Sequence, residues 1–300
     1  MLGVTILGNN SAIPAHGRHP TAQIITTPED LLLFDCGEGT QIQILNYKIR
    51  RGRINHIFIS HLHGDHYFGL VGLLSSFALL SRVQPLHVYG PPALRELLDL
   101  QFKLSETHIP FPYHFHCIEK DGLLLDATDY SVSCFSTKHR IECRGFIVRE
   151  KKKMRKILRE EALQKNIPVH LYPLLQEGKD LVLDNGVPIR NAEVTAPAQP
   201  AKSYAFTADT LFSPEIAEKV NGVDLLYHEA TYPHSLVEKA SSRFHSTTKE
   251  AAEIARMAGV KKLLIGHFSA KFEDIHSFEQ EAQEIFPNTE AALEGVTYIV

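Results

Sequence analysis

The chain has 300 residues, of which 44% are hydrophobic and 22% are charged. This balance supplies enough apolar side chains for a buried core and excludes disordered, collagen-like and coiled-coil proteins. The formal net charge of −4 provides no overall positive field, so any nucleic acid must be bound by a local basic patch.

The first half of the chain predicts a layered α/β fold. Four short β-rich runs bounded by Gly, Pro, Asn or Asp come first: LGVTILG, AQIITT, LLLFDCG and INHIFIS. A buried helix is then predicted for residues 67–83, a strand for PLHVYG and a helix for PPALRELLDLQFKL. Residues 115–139 predict three more strands with breaks at 121–122 and 127–129. The alternation of strands and helices favours stacked α and β layers.

The composition changes at residues 150–165, which contain seven basic and three acidic residues and therefore carry a net charge of +4. A charge run of this kind is typical of a solvated helix face. Beyond Pro-rich connections the core pattern resumes at SYAFTADT, GVDLLYHEATY and VKKLLIGHFS. The segment STTKEAAEIARMAG predicts a helix with Ser246 as its N-cap.

Cysteine use and the N-terminal segment predict a cytoplasmic protein. The four cysteines form no C-x-x-C pair and no dense framework, as is usual for reduced intracellular chains. No Lys or Arg precedes Arg18, so the charged region of a signal peptide is missing. The longest apolar stretch, residues 67–80, is interrupted and too short to span about 30 Å of hydrocarbon. We therefore expect no membrane anchor.

The densest group of possible metal ligands is the sequence HLHGDH at residues 61–66, directly after a predicted strand. Residues two apart in an extended segment point to the same side, so His61 and His63 can bind one metal ion. The following glycine turns the chain and presents Asp65 and His66 to a second position. The alternative, a histidine-rich surface loop, fits poorly between a strand and a buried helix.

Two metal positions need more ligands than this motif supplies. Isolated His or Asp residues that close apolar strands are the candidates, namely His139 after SCFSTK, Asp209 in AFTADT and His267 in LLIGH. Each alone is more typical of an ordinary loop, but jointly they are the ligands that we predict.

Seven motifs then carry a resemblance to a known family: LGNNSAIP, FDCGEGTQ, HIFISHLHGDH, FTADT, HEATY, HSTTKEAA and LLIGHFSAKF. Over nearly its full length the chain resembles the short form of ribonuclease Z, within the metallo-β-lactamase superfamily. H-x-H-x-D-H alone indicates the superfamily, whereas HEATY and HSTTKEAA are specific to the family. The resemblance implies a four-layer αββα fold, a single domain over residues 1–300, and a flexible basic arm inserted at 150–178.

The resemblance also implies two Zn²⁺ ions per chain, although imidazole and carboxylate ligands also accept Mn or Fe. One zinc would be held by three imidazoles, those of His61, His63 and His139. The other would be held by Asp65, His66 and His267, with Asp209 bridging both. Asp35 in FDCGEG would orient a ligand by accepting a hydrogen bond from it.

The activity implied by the resemblance is zinc-dependent endonucleolytic removal of the 3′ trailer of precursor tRNA. The tRNA would keep a 3′-hydroxyl and the trailer a 5′-phosphate. Asp65 would hold and deprotonate the attacking water, and His245 would protonate the leaving 3′-oxygen. Glu229 would orient His245 and raise its pKa. Without the resemblance, His245 is more typical of a surface residue beside a helix N-cap.

The basic run corresponds in this family to an arm that contacts tRNA, and its candidate RNA-binding residues are Lys151, Lys152, Lys153, Arg155, Lys156 and Arg159. The family also implies a homodimer.

Two alternatives stay open for the function. One is a phosphodiesterase of the same fold acting on small or other RNA substrates, which would share the ligands but not need the arm. The other is a noncatalytic RNA-binding protein that uses zinc only for stability.

Overall fold

The computed structural model describes residues 2–151, 153–183 and 186–300, and the chain divides into two compact units. The first unit comprises Met1–Arg149 and Lys202–Val300, and the second comprises Glu150–Ala201. The second unit begins where the arm was predicted and extends beyond residue 178. The predicted RNA contact of Lys152 lies outside the described residues.

The N-terminal part of the first unit contains strands and helices in alternation. In chain order these are β1 (Gly3–Gly8), β2 (Asn10–Ser11), β3 (Ala22–Thr26), β4 (Leu31–Phe34), α1 (Thr40–Asn46), β5 (Ile54–Phe58), α2 (Gly64–Tyr67), α3 (Leu70–Leu79), β6 (Leu86–Gly90), α4 (Pro92–Leu104), β7 (Tyr113–Cys117), β8 (Gly122–Asp126), β9 (Tyr130–Ser136) and β10 (Arg144–Glu150). The predicted strands and the two predicted helices of this half are confirmed.

The second unit is built from short elements. They are β11 (Lys156–Ile157), α5 (Arg159–Gln164), α6 (Tyr172–Gln176), β12 (Leu181–Val182), β13 (Pro188–Ile189), α7 (Asn191–Val194) and β14 (Thr195–Ala196). Their buried side chains form a small core of their own: Ala162, Ile167, Leu175, Leu181, Ile189 and Val194. Half of that core lies beyond residue 178, so the second unit packs as a whole.

The C-terminal part completes the first unit. It contains β15 (Ser203–Phe206), α8 (Pro214–Lys219), β16 (Leu225–Glu229), α9 (Val237–Ser242), α10 (Thr248–Ala258), β17 (Lys262–Gly266), β18 (Phe268–Ser269), α11 (His276–Gln283), β19 (Thr289–Ala291) and β20 (Thr297–Ile299). Among the described residues, no helix is both long enough and apolar enough to cross a membrane.

Two seven-stranded sheets form the centre of the first unit. Their orders are β20-β1-β3-β4-β5-β6-β7 and β19-β17-β16-β15-β10-β9-β8. Strands β4 to β7 are parallel in one sheet, and β15, β16, β17 and β19 are parallel in the other. Parallel strands have their carboxyl ends at one edge, so the loops that follow them are brought together.

The side chains of each strand alternate between two apolar layers. In β4, Phe34 packs between the sheets while Leu33 packs under α1, α3 and α4. In β15, Phe206 packs between the sheets and Ala205 packs under α8, α10 and α11. The aromatic rings of Phe34 and Phe206 lie 6.1 Å apart across this central layer. The predicted four-layer αββα arrangement is therefore confirmed.

The N-cap of α10 differs from the prediction. The Thr247 side chain accepts a hydrogen bond from the Glu250 backbone N–H, and the Glu250 carboxylate accepts one from the Thr247 N–H, which forms a capping box. The Ser246 hydroxyl instead donates to the Thr210 carbonyl oxygen at 2.7 Å. Assigning the cap to Ser246 was wrong because a tertiary hydrogen bond engages its side chain.

The basic run does not form the helix that its charge pattern favoured. Within it, the structure describes a two-residue strand, β11, and a helix, α5, that begins only at Arg159. Arg155, directly before β11, is held by contacts inside the second unit, because its backbone N–H donates to Gln176 and its guanidinium Nε donates to Thr195 Oγ1 at 2.8 Å. Contacts inside the second unit thus override the local preference for helix.

Candidate metal centre

The predicted ligands lie at the carboxyl ends of strands from both sheets. Residues 61–66 follow β5, His139 follows β9, Asp209 follows β15 and His267 follows β17. The structure brings all of them together in two groups whose ligand atoms lie within 4.8 Å of one another: His61, His63, His139 and Asp209, and then Asp65, His66 and His267. The packing of the two sheets thus brings together residues that lie up to about two hundred positions apart in the sequence.

In the first group three imidazoles and a carboxylate converge. His63 Nδ1 lies 3.0 Å from His61 Nε2 and 3.0 Å from His139 Nε2. Asp209 Oδ2 lies 3.6 Å from His61 Nε2 and 3.8 Å from His139 Nε2. This is the nitrogen-rich donor set that zinc and related divalent ions prefer.

The second group has the same character. His267 Nε2 lies 3.3 Å from His66 Nε2 and 3.3 Å from Asp65 Oδ2. Asp65 Oδ2 also accepts a hydrogen bond from the Ala12 backbone N–H at 2.7 Å, which holds this carboxylate in place.

Asp209 lies between the two groups. Its Oδ2 faces the first group, while its Oδ1 lies 3.3 Å from both His66 Nε2 and His267 Nε2 of the second. Although Oδ1 is buried, it accepts no well-oriented hydrogen bond from any of the described residues. A buried carboxylate oxygen of this kind is costly unless a cation neutralises it, so a pair of divalent ions fits these residues.

The other nitrogens of these imidazoles are held from outside. Asp35, fully buried, accepts a hydrogen bond from His66 Nδ1 at 2.6 Å and two more from the backbone and hydroxyl of Ser60. His139 Nδ1 donates to the Phe244 carbonyl oxygen at 2.8 Å. Such contacts fix the ring orientation and leave the inner nitrogens free for a metal ion.

A chain of hydrogen bonds connects the second group to His245. His267 Nδ1 donates to Thr231 Oγ1 at 2.9 Å, and the Thr231 hydroxyl donates to Glu229 Oε2 at 2.6 Å. The other oxygen, Glu229 Oε1, accepts a hydrogen bond from His245 Nδ1 at 2.9 Å. His245, Asp209 and His267 also have ligand atoms within 4.8 Å, but Glu229 engages Nδ1 of His245.

Electrostatics separate His245 from the three imidazoles of the first group, whose pKa values burial lowers. Burial lowers the pKa of His245, but the Glu229 charge and hydrogen bond outweigh burial and raise that pKa to about 9. Burial raises the pKa of Glu229, but the charge and hydrogen bond of His245, together with the His267 charge, lower it overall. Burial, reinforced by His139, lowers the pKa of His63 to about 4, so this imidazole is neutral at pH 7, as a metal ligand must be.

His66 shows where positive charge is favoured. Burial lowers its pKa, but the charges of Asp209, Asp35 and Asp65 together raise the pKa well above the ordinary value for histidine. Two buried carboxylates and the partly buried Asp65 thus favour a positive charge at this position, as a bound cation provides.

Backbone conformations around the site are unusual. Asp35, Ala208, Phe244 and His267 have positive φ values of 56°, 54°, 60° and 60°. Non-glycine residues adopt this left-handed region at a cost of about 1–3 kcal/mol each. All four lie at or beside residues that the site uses, so the packed surroundings maintain these turns where side chains must point inward.

A cavity of about 490 Å³ opens over both groups. Its wall also includes six residues that sequence reasoning did not single out: Phe68, Arg140, Tyr232, Lys239, Arg243 and Lys271. Four of them are cations, and the Lys239 ammonium lies 4.9 Å above the Tyr232 ring. Tyr232 and Lys271 lie within the motifs HEATY and LLIGHFSAKF, but no spacing pattern assigns the six residues a role. The cavity therefore combines a metal centre with a basic wall suited to a polyanion.

Comparisons with known proteins agree with this geometry. The chain is 43% identical over 293 residues to "Ribonuclease Z" of Porphyromonas gingivalis, covering 97% of this chain and 96% of that protein. It is 40% identical to "Ribonuclease Z" of Bacteroides fragilis, with the same two coverages. The crystal structure of human tRNase Z, short form, matches with a TM-score of 0.73 and 28% identity, covering 99% of both chains.

A family model described as "Anti-Pycsar protein Apyc1" matches residues 2–158. That segment contains the 61–66 motif and His139 but ends before Asp209 and His267. The matches to the relatives above extend over all of these residues. The chain therefore belongs to the ribonuclease Z family, whose members are metal-dependent nucleases with the metallo-β-lactamase fold.

Proposed function

We propose that this protein is a zinc-dependent endoribonuclease that removes the 3′ trailer of precursor tRNA. The products are a tRNA with a 3′-hydroxyl and a trailer with a 5′-phosphate. The observation that carries the proposal is a pair of ligand groups sharing Asp209 beside the hydrogen-bonded pair His245 and Glu229, in a chain of this family. Such a site can supply a nucleophile, stabilise phosphoryl charge and protonate a leaving oxygen.

His61, His63 and His139 would hold one Zn²⁺, Asp65, His66 and His267 would hold the other, and Asp209 would serve both. When bound, the two ions would lower the pKa of water and stabilise negative charge on the phosphoryl oxygens. Asp35 is a positioning residue in this scheme, because its hydrogen bond with His66 Nδ1 keeps Nε2 directed inward.

The chain's own side chains carry the two proton transfers. Asp65 accepts the proton of the attacking water. Burial raises the pKa of this carboxyl, but the His66 charge together with the His267 hydrogen bond and charge lowers it below its usual range, so Asp65 is ionised and able to accept a proton. His245 donates a proton to the ribose 3′-oxygen as the bond from that oxygen to phosphorus breaks. Glu229 keeps His245 protonated and holds Nδ1, which leaves Nε2 to act as the donor.

The basic wall of the cavity supports binding of the RNA backbone. Arg140, Lys239, Arg243 and Lys271 line the same cavity as the ligand groups, so phosphates that flank the scissile bond meet positive charge. The second unit contributes further candidates. Homodimer formation and a cytoplasmic location stay predictions.

The candidate RNA-binding residues of the second unit differ in their surroundings. Lys156 and Arg159 are exposed, line one cavity of about 550 Å³ and form no ion pair with the described residues. Arg155 donates to Thr195, and Lys153 lies 3.1 Å from the Glu150 carboxylate. We therefore propose Lys156 and Arg159 as the principal phosphate contacts of the set, because their charges are not already engaged inside the unit.

The direct test is cleavage of a 3′-extended tRNA precursor by the purified protein, with and without chelator. We expect one cut after the discriminator nucleotide, abolished by chelator and restored by zinc, with product ends mapped by sequencing and phosphatase treatment. Cleavage that is insensitive to chelator, or a 3′-phosphate on the tRNA, would contradict the proposal.

A second experiment separates tRNA processing from the alternative activity on small phosphodiesters. Arg149 and Ser203 are direct cross-strand partners in β10 and β15, so the second unit is an insertion between two paired strands. Residues 150–202 can therefore be replaced by an Asn-Gly hairpin turn. Removing only 150–178 would cut through the small core that also contains Leu181, Ile189 and Val194.

For this replacement variant we expect loss of precursor tRNA cleavage with retained hydrolysis of bis(p-nitrophenyl) phosphate. Unchanged cleavage of both substrates would favour a phosphodiesterase that does not need the second unit. A parent protein that binds precursor tRNA with zinc present, but cleaves neither substrate, would favour the noncatalytic RNA-binding alternative.

A further inference from the structure

A second cluster of histidines lies on strands β5, β6 and β7, away from the metal centre. His56, His87 and His114 are direct cross-strand neighbours, and His116 lies two residues beyond His114 on the same side of β7. His56 is the central residue of β5, the strand that leads to His61 five residues later, so at about 3.3 Å per residue the two lie about 16 Å apart. We call these four residues the histidine ladder.

Two nitrogens of the ladder approach each other closely. His87 Nδ1 lies 2.9 Å from His116 Nε2, which matches the 3.0 Å spacing between His61 Nε2 and His63 Nδ1 in the metal centre. Two nitrogens bound to one ion at about 2.0–2.1 Å lie about 2.9 Å apart when they subtend a right angle. Square-planar and tetragonal coordination, which Cu²⁺ and Ni²⁺ prefer, has this angle between neighbouring ligands.

The aromatic packing fixes both rings before any ion binds. His116 stacks on Tyr89 at 4.4 Å, and Tyr89 stacks on the buried ring of Phe58, also at 4.4 Å. His87 lies between His56 and His114, with ring centroids 5.0 and 4.9 Å away. Rings that are already ordered lose little conformational entropy when they bind a ligand.

The protonation state of the pair suits a metal ligand. Burial and the neighbouring imidazoles lower the pKa of His87, and burial with His114 lowers that of His116. Two neutral rings at 2.9 Å share one N–H between their facing nitrogens. A metal ion can replace this shared hydrogen between the two nitrogens once the proton of His87 is on Nε2. This is a change of tautomer without net proton release. His87 is partly buried and His116 is exposed, so an ion reaches them from solvent.

We propose that His87 and His116 form a binding site for one divalent transition-metal ion that prefers imidazole, with Cu²⁺ and Ni²⁺ as the best fitting class. The site is separate from the catalytic centre and does not depend on the function proposed above. Water completes the coordination, because in the part of the chain that the structure describes the ladder offers no third nitrogen at the same spacing.

The test uses the full-length protein loaded with zinc, so that the catalytic ligands are occupied. One equivalent of Cu²⁺ is added, unbound metal is removed by desalting, and copper and zinc are measured by mass spectrometry. The variants His87→Gln and His116→Gln change ligands on two different strands, and His108→Gln changes an exposed histidine outside the ladder. Electron paramagnetic resonance of the parent counts the nitrogens on copper without any substitution.

We expect the parent and His108→Gln to retain about one Cu²⁺ with two coordinated nitrogens and with all of their zinc. Each ladder variant should bind copper with an affinity lower by about tenfold or more. Only one imidazole of the pair then remains, so the ion is no longer bound by two ligands of the same chain at once. Equal copper retention in all four proteins, or copper uptake matched by an equal loss of zinc, would overturn the proposal.

Discussion

The metal centre and the second unit use charge in opposite ways. In the centre the charged groups are buried or partly buried, and specific hydrogen bonds orient two of the histidines: Asp35 accepts one from His66, and Glu229 accepts one from His245. The second unit has a small core of six apolar residues, and its basic side chains Lys156 and Arg159 are exposed. Chemistry at one phosphorus atom depends on fixed positions, whereas attraction to a polyanion depends on summed charge. Single substitutions should therefore have large effects in the first region and small ones in the second.

The largest effect is expected for Asp209→Ala, because this carboxylate serves both ligand groups. Its loss leaves imidazoles of both groups without a shared anion, so zinc binding weakens at both positions. Metal-derived stabilisation of several kcal/mol corresponds to a loss of about 10³-fold or more in kcat/KM. Metal analysis after dialysis should show less zinc than in the parent. Full zinc content together with normal cleavage would contradict a bridging role.

His245→Ala should lower kcat for precursor tRNA by about 10²-fold or more, with zinc content unchanged. The loss should be much smaller for bis(p-nitrophenyl) phosphate, since nitrophenolate leaves without needing a proton. His276→Ala, which changes an exposed histidine on α11, is the matched control. Equal losses on both substrates would assign His245 to metal or substrate binding instead of proton donation.

Asp35→Asn tests the outer hydrogen bonds of the centre. The amide keeps the size of the side chain but removes the charge that His66 Nδ1 faces, so we expect zinc affinity to fall by about 10–100-fold. The control is Asp224→Asn, another buried carboxylate, which accepts hydrogen bonds from Ser203 in β15. Competition with a chromogenic chelator measures the affinity. If both variants lose affinity equally, Asp35 contributes only to general stability.

The pH profile should reveal the pair formed by Glu229 and His245. Because Glu229 raises the pKa of His245 to about 9, the imidazolium donor persists at neutral pH and is lost as pH rises. Bound zinc ions repel the imidazolium, so we expect the alkaline limb of kcat/KM below pH 9. Glu229→Gln should move that limb lower by about one pH unit. An unmoved limb would show that another group titrates.

The sequence predicted the centre better than the second unit for physical reasons. Ligands such as His61 and His267 follow apolar parallel strands, β5 and β17, and the carboxyl ends of parallel strands meet at one edge of a sheet, so local patterns carry long-range information. Asp209 was predicted on the same grounds, but its position between two groups follows only from packing of the two sheets. The role of Glu229 had no local signal, because its hydrogen bonds to Thr231 and His245 depend on tertiary structure.

Predictions from composition were less successful. The basic run suggested a helix, but hydrogen bonds connect Arg155 to Gln176 and Thr195, β11 follows, and helix α5 begins only at Arg159. Those partners lie roughly 20 and 40 residues away, beyond the reach of a charge count. The basic wall of the catalytic cavity was missed for the same reason, since Lys239 and Lys271 are neighbours only in the folded chain. A charge pattern shows only how many charged residues a segment contains. Tertiary contacts determine which of those charges remain available to bind RNA.

The smallest effect is expected for the double variant Lys156→Ala and Arg159→Ala. Two lost phosphate contacts should raise KM for precursor tRNA a few-fold and reduce the slope of log affinity against log salt by about 1–2. The matched control is Lys165→Ala with Lys179→Ala, which removes the same charge from lysines that already pair with Glu193 and Glu177 at 2.7 Å. Since those charges are neutralised locally, the control should change the slope less. Equal slopes in the two variants would mean that only net charge matters in the second unit, and that neither Lys156 nor Arg159 has a defined contact.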